Sequence, residues 1–259
     1  MKQTKTNEKT NKDRNELDGF LPTQVGIFTF LTSLQLGGNS LIGTIPDTLG
    51  TLTRLTRLVL AHNYFVGTIP ETLIDTSATS TSASSQIQLR SFNIEDNLLT
   101  GTIPDTFSTS LYQLTRLDYN ENYLVGTIPT SISSLTSLER LHISNNQLHG
   151  TVHESIGTSL LQLEELEIDN NIFTGTIPSS FSLLSNLEIF SLQNNNFTGN
   201  LNLIFCPRAA SLTILEADCL TEDDEFVNTT TTMTMTTSNT TMPMGRTPEV
   251  PCSCCTTCY

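Results

Sequence analysis

The chain has 259 residues, a formal net charge of −14 and only 15% charged side chains. This charge argues against a nucleic-acid partner, because phosphate backbones are bound by clustered positive side chains. No segment approaches the ~20 apolar residues that span a bilayer, and the charged start lacks the apolar stretch of a signal peptide. The composition is typical of an acidic interaction module.

Residues 1–14 carry charges but no apolar run, and a repeat pattern is already in register at Asn15. We expect this segment to be disordered or to act as an improvised cap. The alternative, which we favour, is that the chain is truncated and its targeting signal is lost. Because an uncapped solenoid exposes an apolar edge, the chain as given is then expected to aggregate.

A short turn recurs through most of the chain. The tetrad Gly-Thr-Ile-Pro starts at Gly43, Gly67, Gly101, Gly126 and Gly175, and related turns lie at Gly19, Gly150 and Gly199. Successive glycines are 24 or 25 residues apart, except for one step of 34. Apolar residues stand twelve, nine and seven positions before them. The alternation predicts a short strand, and its inward side chains are buried only when coils stack.

An asparagine stands four residues before every one of these glycines. Its amide offers both a donor and an acceptor, so it can satisfy backbone groups where the strand ends and the chain bends. Stacked coils should align these amides in a ladder with a structural role. The predicted ladder consists of Asn39, Asn63, Asn97, Asn122, Asn146, Asn171 and Asn195.

The pattern LxxLxLxxNxLxGxIPxxLxxL, present over 31–52 and 55–73, resembles the plant-type leucine-rich repeat. The resemblance covers about 15–219. It implies a right-handed, curved leucine-rich-repeat solenoid with short parallel strands on the concave face and irregular or 3₁₀ turns on the convex face. Seven full repeats are expected, with partial coils at both ends. Receptor-like proteins, receptor kinase ectodomains and polygalacturonase inhibitors share this repeat.

The repeat pattern has two irregularities, an insertion and a substitution. The segment 76–86 is rich in serine and threonine and is predicted to be a loop insertion on the convex side. In the turn after Gly150, His153 replaces the proline, and we expect it to be an exposed turn residue.

We number the complete coils one to seven, from the coil of Gly43 to that of Gly199. Positions ten, eight, six and five before each glycine are predicted to point outward on the concave face. Coils three to six place acidic, basic and amide side chains there. The predicted ligand-binding residues are Asn93, Glu95, Asp96, Arg116, Asp118, Glu121, Arg140, His142, Glu165, Glu167 and Asp169.

Acids outnumber arginines in this set, and like charges on neighbouring strands cost stability. A face that retains them favours a protein, peptide or glycan ligand with cationic or hydrogen-bond-donor groups. An ordinary solvated strand face is the alternative. Because His142 should lie between Asp118 and Glu167, its pKa is expected to be raised, so that ligand affinity would change near neutral pH.

The same neighbourhood contains Ser144, which suggests a hydrolytic triad. A nucleophile also needs a base within hydrogen-bond reach and a water-excluded oxyanion site, and an open concave sheet is expected to provide neither. We therefore predict no enzyme activity, no metal ion and no cofactor.

After the repeats, 220–251 is predicted to be a threonine-rich disordered linker, and 252–259 forms a cysteine-rich cluster. The end of the chain resembles that of leucine-rich-repeat proteins from diatoms. Disulfides that seal the last coil are expected, with zinc binding as the alternative. The cysteines are Cys206, Cys219, Cys252, Cys254, Cys255 and Cys258, and the glycosylation sequons begin at Asn196, Asn228 and Asn239.

The resemblance implies a binding module, located outside the cell or on its surface, that acts as a receptor-like ectodomain. A secreted inhibitor of a polysaccharide-degrading enzyme and a structural cell-wall or adhesion protein are the alternatives. Membrane anchoring would require a segment outside this sequence.

Overall fold

A computed structural model describes residues 16–73, 87–105, 111–199, 201–205 and 212–217. The predicted N-terminal segment 1–14, the insertion 76–86, the linker 220–251 and the cluster 252–259 lie outside these residues. All six cysteines and two of the three sequons, at Asn228 and Asn239, also lie outside them. None of the helices in the described part of the chain is long and apolar enough to cross a membrane.

Within these residues the chain forms a stack of coils, each contributing one short strand to an eight-stranded parallel sheet. This is the predicted concave sheet, and neighbouring strands pair at the same repeat position. Its strands are β2 (Ser33–Gln35), β4 (Arg57–Val59), β6 (Ser91–Asn93), β8 (Arg116–Asp118), β10 (Arg140–His142), β12 (Glu165–Glu167), β14 (Ile189–Ser191) and β16 (Ile214–Glu216).

The segment between the ladder asparagine and the glycine turn forms further strands, which the sequence pattern does not predict. They pair in parallel as two four-stranded sheets, and a bridge between Thr102 and Val125 links the two. We call this surface the second sheet. Its strands are β1 (Asp18–Phe20), β3 (Ser40–Thr44), β5 (Tyr64–Gly67), β7 (Leu98–Leu99), β9 (Val125–Gly126), β11 (Gln147–Gly150), β13 (Ile172–Gly175) and β15 (Asn196–Phe197).

The repeated asparagines hold these two sheets in register. Asn122 Nδ2 donates to the carbonyl of Ile94 in the previous coil at 3.0 Å and to Asn120 O in its own coil at 3.0 Å. Its Oδ1 accepts from the backbone N–H of Leu99 at 3.1 Å. Asn63, in coil two, makes the equivalent bonds to Leu36 O and from Leu41 N–H. Each amide therefore satisfies backbone groups of two coils at once.

The convex side carries 3₁₀ turns that follow the repeated proline, at Thr23–Ile27, Asp47–Thr51, Glu71–Leu73, Thr130–Ser134 and Ser179–Leu183. Coil five differs, because α1 (Glu154–Ser159) replaces the 3₁₀ turn. His153, where other coils have proline, is exposed and accepts a hydrogen bond from Ser155 N–H at 3.1 Å as its N-cap. A second short helix, α2, covers Asn202–Phe205.

The core runs as one column of branched and aromatic side chains through the stack. Phe92 and Tyr119 meet edge to face with ring centroids 5.4 Å apart. Phe190 packs between Phe181 and Phe205 near the C-terminal end. The Tyr119 hydroxyl is buried in this column without a hydrogen-bond partner, and burial raises its pKa well above the usual value of 10.0.

Candidate binding site on the concave face

The concave strands place side chains of successive coils directly beside one another. His142 of β10 pairs in register with Asp118 of β8 and with Glu167 of β12. Arg140, two residues earlier and on the same face, pairs with Arg116 and Glu165. The predicted adjacency of Asp118, His142 and Glu167 is confirmed.

His142 is the centre of a network of charged side chains. Its Nδ1 lies 3.0 Å from Asp118 Oδ1, and its Nε2 lies 3.0 Å from Glu165 Oε2 and 4.0 Å from Glu167 Oε1. The nearest carboxylate to Nε2 is thus Glu165, although Glu167 occupies the paired register position. Burial lowers the pKa of His142, but the hydrogen bond with Asp118 and the charges of Glu167, Asp118 and Glu165 outweigh it and raise the pKa above its usual value. This confirms the predicted direction.

Asp118 does not face solvent, contrary to its predicted role in contacting a ligand. Its side chain is only 1% exposed. Its Oδ2 accepts from Asn93 Nδ2 at 3.0 Å and from Arg116 Nε, while Oδ1 faces His142. From this buried position the carboxylate contacts three side chains of the network, Asn93, Arg116 and His142.

The two glutamates that face His142 are each held by a second side chain. Glu165 Oε1 lies 3.3 Å from Arg140 Nε. Glu167 Oε2 accepts from Asn120 Nδ2 at 3.4 Å, and Asn120 Oδ1 in turn accepts from Ser144 N–H at 2.6 Å. Burial raises the pKa of Glu167, as do the nearby charges of Asp169 and Glu165, and these effects exceed the lowering by His142 and Asn120.

Asp169 is a second predicted ligand contact that the structure encloses. It is buried, and it accepts hydrogen bonds from the Ser144 hydroxyl and from Asn170 Nδ2. The Ser144 hydroxyl therefore donates to Asp169, and the contacts of His142 are with Asp118, Glu165 and Glu167. The Ser–His pair that a hydrolytic triad requires is not formed by these two residues.

Other predicted ligand residues lie where the chain turns away from the sheet. Asp96 and Glu121 have positive φ angles of 51° and 54°, and both are exposed. Asp96 pairs with His62 at 2.9 Å, and the two side chains are 55% and 52% exposed. Glu95 is half-buried next to them. His62 is itself in the left-handed turn with φ 56°.

An acidic column at the start of the concave strands lies outside the set of predicted ligand-binding residues. Glu139, Glu164 and Glu188 occupy the same position in coils five to seven. The N–H of Glu164 donates to Glu139 O at 2.7 Å, and that of Glu188 donates to Glu164 O at 2.8 Å. Glu139 and Glu188 are exposed, and Glu164 is half-buried. The sequence does contain this pattern, because a glutamate stands eleven residues before the glycine in three successive coils. That position is one residue before the first of the predicted outward positions.

A different surface pattern marks the edge of the second sheet. Six threonines, each directly after a turn glycine, are exposed in coils one to six: Thr44, Thr68, Thr102, Thr127, Thr151 and Thr176. Their methyl groups lie over the glycine of the next coil. A β-carbon on Gly126, for instance, would lie 2.9 Å from Thr102 Cγ2. Because glycine has no side chain, each threonine methyl group can lie against the next coil. The threonine hydroxyl and methyl groups thus repeat once per coil along this surface.

Comparisons with known proteins agree with this architecture. Leucine-rich-repeat family models match residues 87–148 and, separately, residues 30–52 and 162–184. The fold is that of a leucine-rich-repeat solenoid. A search of curated proteins found no match.

Several solved structures are similar over most of the chain. The ectodomain of the membrane receptor kinase GASSHO1/SCHENGEN3 from Arabidopsis thaliana, in complex with CASPARIAN STRIP INTEGRITY FACTOR 2, is 32% identical with a TM-score of 0.63, covering 71% of this chain and 20% of that one. The Arabidopsis receptor kinase HAESA ectodomain, in complex with an IDA peptide hormone, is 32% identical with a TM-score of 0.62, covering 70% and 28%.

A plant ice-binding protein is 26% identical with a TM-score of 0.51, and the match covers 72% of this chain and 65% of that one. The chain therefore spans less than a third of the length of the two receptor ectodomains, and about two thirds of the ice-binding protein.

Proposed function

We propose that the chain is a non-catalytic recognition module that binds a protein or peptide partner on its concave face. The partner carries cationic or hydrogen-bond-donor groups, and binding takes place outside the cell or at its surface, as in a receptor-like ectodomain. Support for the binding mode comes from the two solved receptor ectodomains, which are in complex with CASPARIAN STRIP INTEGRITY FACTOR 2 and with an IDA peptide hormone.

The main support for this proposal is the acidic surface of coils five to seven. Glu139, Glu164 and Glu188 follow one another at one strand spacing, ~4.8 Å, and Glu165 and Glu167 project from the strand that follows Glu164. Like charges in directly opposed positions destabilise a sheet. Retaining them on one face concentrates a negative potential that steers a cationic partner.

The enclosed carboxylates serve a different purpose in this proposal. Asp118 and Asp169 are buried and contact neighbouring side chains, so they fix the surface while the outer glutamates contact the partner. The binding surface therefore shifts from the predicted coils three to six toward coils five to seven. Glu95, Asp96 and Glu121 extend it along the strand ends.

Two variants that lose the same charge test this location. The first combines Glu139→Gln, Glu164→Gln and Glu188→Gln. The control combines Asp47→Asn, Glu71→Gln and Asp105→Asn, which are exposed positions directly after the convex prolines. Fluorescence anisotropy with a labelled peptide of alternating arginine and glycine should show binding that weakens with salt. Binding should be lost in the first variant and retained in the control, and equal loss in both would refute the concave site.

The alternatives to this proposal are a secreted inhibitor of a polysaccharide-degrading enzyme and a structural wall or adhesion protein. Mixing the chain with a polygalacturonase distinguishes the first of these, because an inhibitor lowers the rate of substrate cleavage. A receptor-like module leaves that rate unchanged.

A second candidate function, ice binding, is favoured by the threonine column on the second sheet. In coils one to six this column is uncharged. The position before the glycine adds a methyl or hydroxyl group in five of these coils (Ile42, Val66, Thr100, Val125 and Thr174) and an imidazole, His149, in coil five. Thr44 pairs with Val66, and Thr102 with Val125. Hydroxyls repeated at the coil spacing can hold a regular row of water molecules, and the adjacent methyl groups limit competing hydrogen bonds.

Thermal hysteresis and ice recrystallisation of the purified chain test this second candidate. Thr127→Lys places a flexible charge in the middle of the column and should abolish both effects. Gln35→Lys adds the same charge on the exposed concave face and should leave them unchanged. A chain without measurable hysteresis or recrystallisation inhibition would remove the candidate.

A further inference from the structure

The side chains around His142 bring three possible ligand atoms together, and two of them, His142 Nε2 and Glu165 Oε2, are hydrogen-bonded to each other. His142 Nε2 lies 3.0 Å from Glu165 Oε2 and 4.0 Å from Glu167 Oε1, and all three atoms lie within 4.8 Å of one another. A tetrahedral ion with bonds of ~2.1 Å needs ligand atoms about 3.4 Å apart. The observed separations bracket this value, so small rotations of the glutamate side chains would suffice.

Each of these three groups is also held at its other end. Asp118 Oδ1 lies 3.0 Å from His142 Nδ1, Arg140 Nε lies 3.3 Å from Glu165 Oε1, and Asn120 Nδ2 donates to Glu167 Oε2 at 3.4 Å. The three converging atoms are therefore not the ones that contact Asp118, Arg140 and Asn120, and a bound ion would replace the hydrogen bond between His142 Nε2 and Glu165 Oε2. A carboxylate on the far nitrogen of a histidine is the usual support of a metal-binding imidazole, since it fixes the tautomer and the ring orientation.

The supporting groups are themselves fixed. Asp118 is 1% exposed and is held by Asn93 and Arg116, and Asn120 Oδ1 accepts from Ser144 N–H. A surface cluster of acids would lack this second layer. Here the layer holds one imidazole nitrogen and two carboxylate oxygens, a ligand set that suits a borderline divalent ion.

We propose that His142, Glu165 and Glu167 form a binding site for one divalent transition-metal ion, with Zn²⁺ as the reference ion. The sequence alone predicts no metal on this face, and the inference comes from the side-chain geometry. Three protein ligands leave a fourth position for water or for a donor atom of a bound partner. The site does not depend on the proposed peptide binding.

The test is a zinc titration of the full chain after chelator treatment, with thiols blocked so that cysteines cannot compete. Calorimetry should give one tight equivalent of Zn²⁺. His142→Gln and Glu167→Gln should each weaken binding at least about tenfold, the scale of a lost ligand or its support. Glu139→Gln removes a nearby exposed carboxylate that contributes no ligand, and it should bind as the unaltered chain does.

A second readout separates ligand loss from misfolding. Co²⁺ in the same site should give absorption bands typical of a four-coordinate ion with nitrogen and oxygen ligands, and Glu167→Gln should change these bands while the circular dichroism spectrum stays the same. Absence of a tight equivalent, or equal zinc uptake by the folded Glu167→Gln and Glu139→Gln variants, would overturn the proposal.

Discussion

Asp118 and His142 lie opposite each other on neighbouring strands, with Asp118 Oδ1 3.0 Å from His142 Nδ1. The Asp118 side chain is 1% exposed, whereas in another Asp–His pair Asp96 and His62 are 55% and 52% exposed. An Asp–His pair therefore occurs both in a buried position, as Asp118–His142, and in an exposed one, as Asp96–His62. This contrast allows the network's contribution to stability to be measured.

Replacing Asp118 with Asn should lower the free energy of unfolding by about 2 kcal/mol, because it removes the shared anion of Arg116 and His142 from an enclosed position. Part of the cost is offset because Arg116 is 39% exposed and can regain water. Asp96→Asn should change stability by less than about 1 kcal/mol, since exposed ion pairs contribute little. Urea unfolding of both variants checks this, and equal effects would contradict a buried network.

Asn122→Ala should lower the free energy of unfolding by roughly 1–3 kcal/mol, because it leaves the buried backbone N–H of Leu99 without its acceptor. The carbonyl of Ile94 loses one bond but keeps the one from Asn97 Nδ2 at 3.0 Å. Asn186→Ala is the control, because Asn186 is exposed and makes one bond, to Leu161 O. Thermal unfolding of both variants should show a large loss of stability for Asn122→Ala and little loss for Asn186→Ala. A small loss at Asn122 would contradict the structural role of the ladder.

Tyr119→Phe should raise the free energy of unfolding by about 1 kcal/mol at neutral pH, because it removes a buried hydroxyl that has no partner. A pH dependence follows from the raised pKa of Tyr119. Below pH ~10 tyrosine is neutral in both states, and above it the unfolded chain ionises first, so stability falls as the pH rises.

The Tyr119→Phe variant should lose this part of the alkaline destabilisation. Tyr112→Phe is the control, since Tyr112 is 52% exposed and its hydroxyl accepts from Gln113 Nε2. Urea unfolding at pH 7 and at pH 11 measures both effects. A hydroxyl that contributes to stability would instead make Tyr119→Phe less stable at pH 7.

The repeat period was sufficient to predict the concave strands and the register that brings Asp118, His142 and Glu167 together. It could not predict that Glu165, two residues from the paired position, is the nearest carboxylate to His142 Nε2. Which glutamate lies nearest depends on side-chain rotation and on the contact with Arg140, and the repeat period of the sequence specifies neither. The enclosure of Asp118 was missed for a related reason, because alternation assigns a face but not how far neighbouring side chains cover it.

The second sheet was missed because its strands are two to five residues long, and four of them, β5, β9, β11 and β13, end at a glycine with positive φ, as at Gly126 with φ 87°. From the sequence, such a segment is predicted to be a turn. The α-helix of coil five depends on a local exchange of proline for His153, whose ring caps the helix. The pairing of the cysteines lies outside the described residues.

Hydrogen–deuterium exchange of the full chain, with and without the arginine–glycine peptide, tests the proposed concave binding surface most directly. We expect slower exchange of backbone amides in β10, β12 and β14, with no change in β9, β11 and β13 of the second sheet. The effect should disappear in the variant that combines Glu139→Gln, Glu164→Gln and Glu188→Gln. Protection confined to the second sheet, or protection that persists in that variant, would contradict the account.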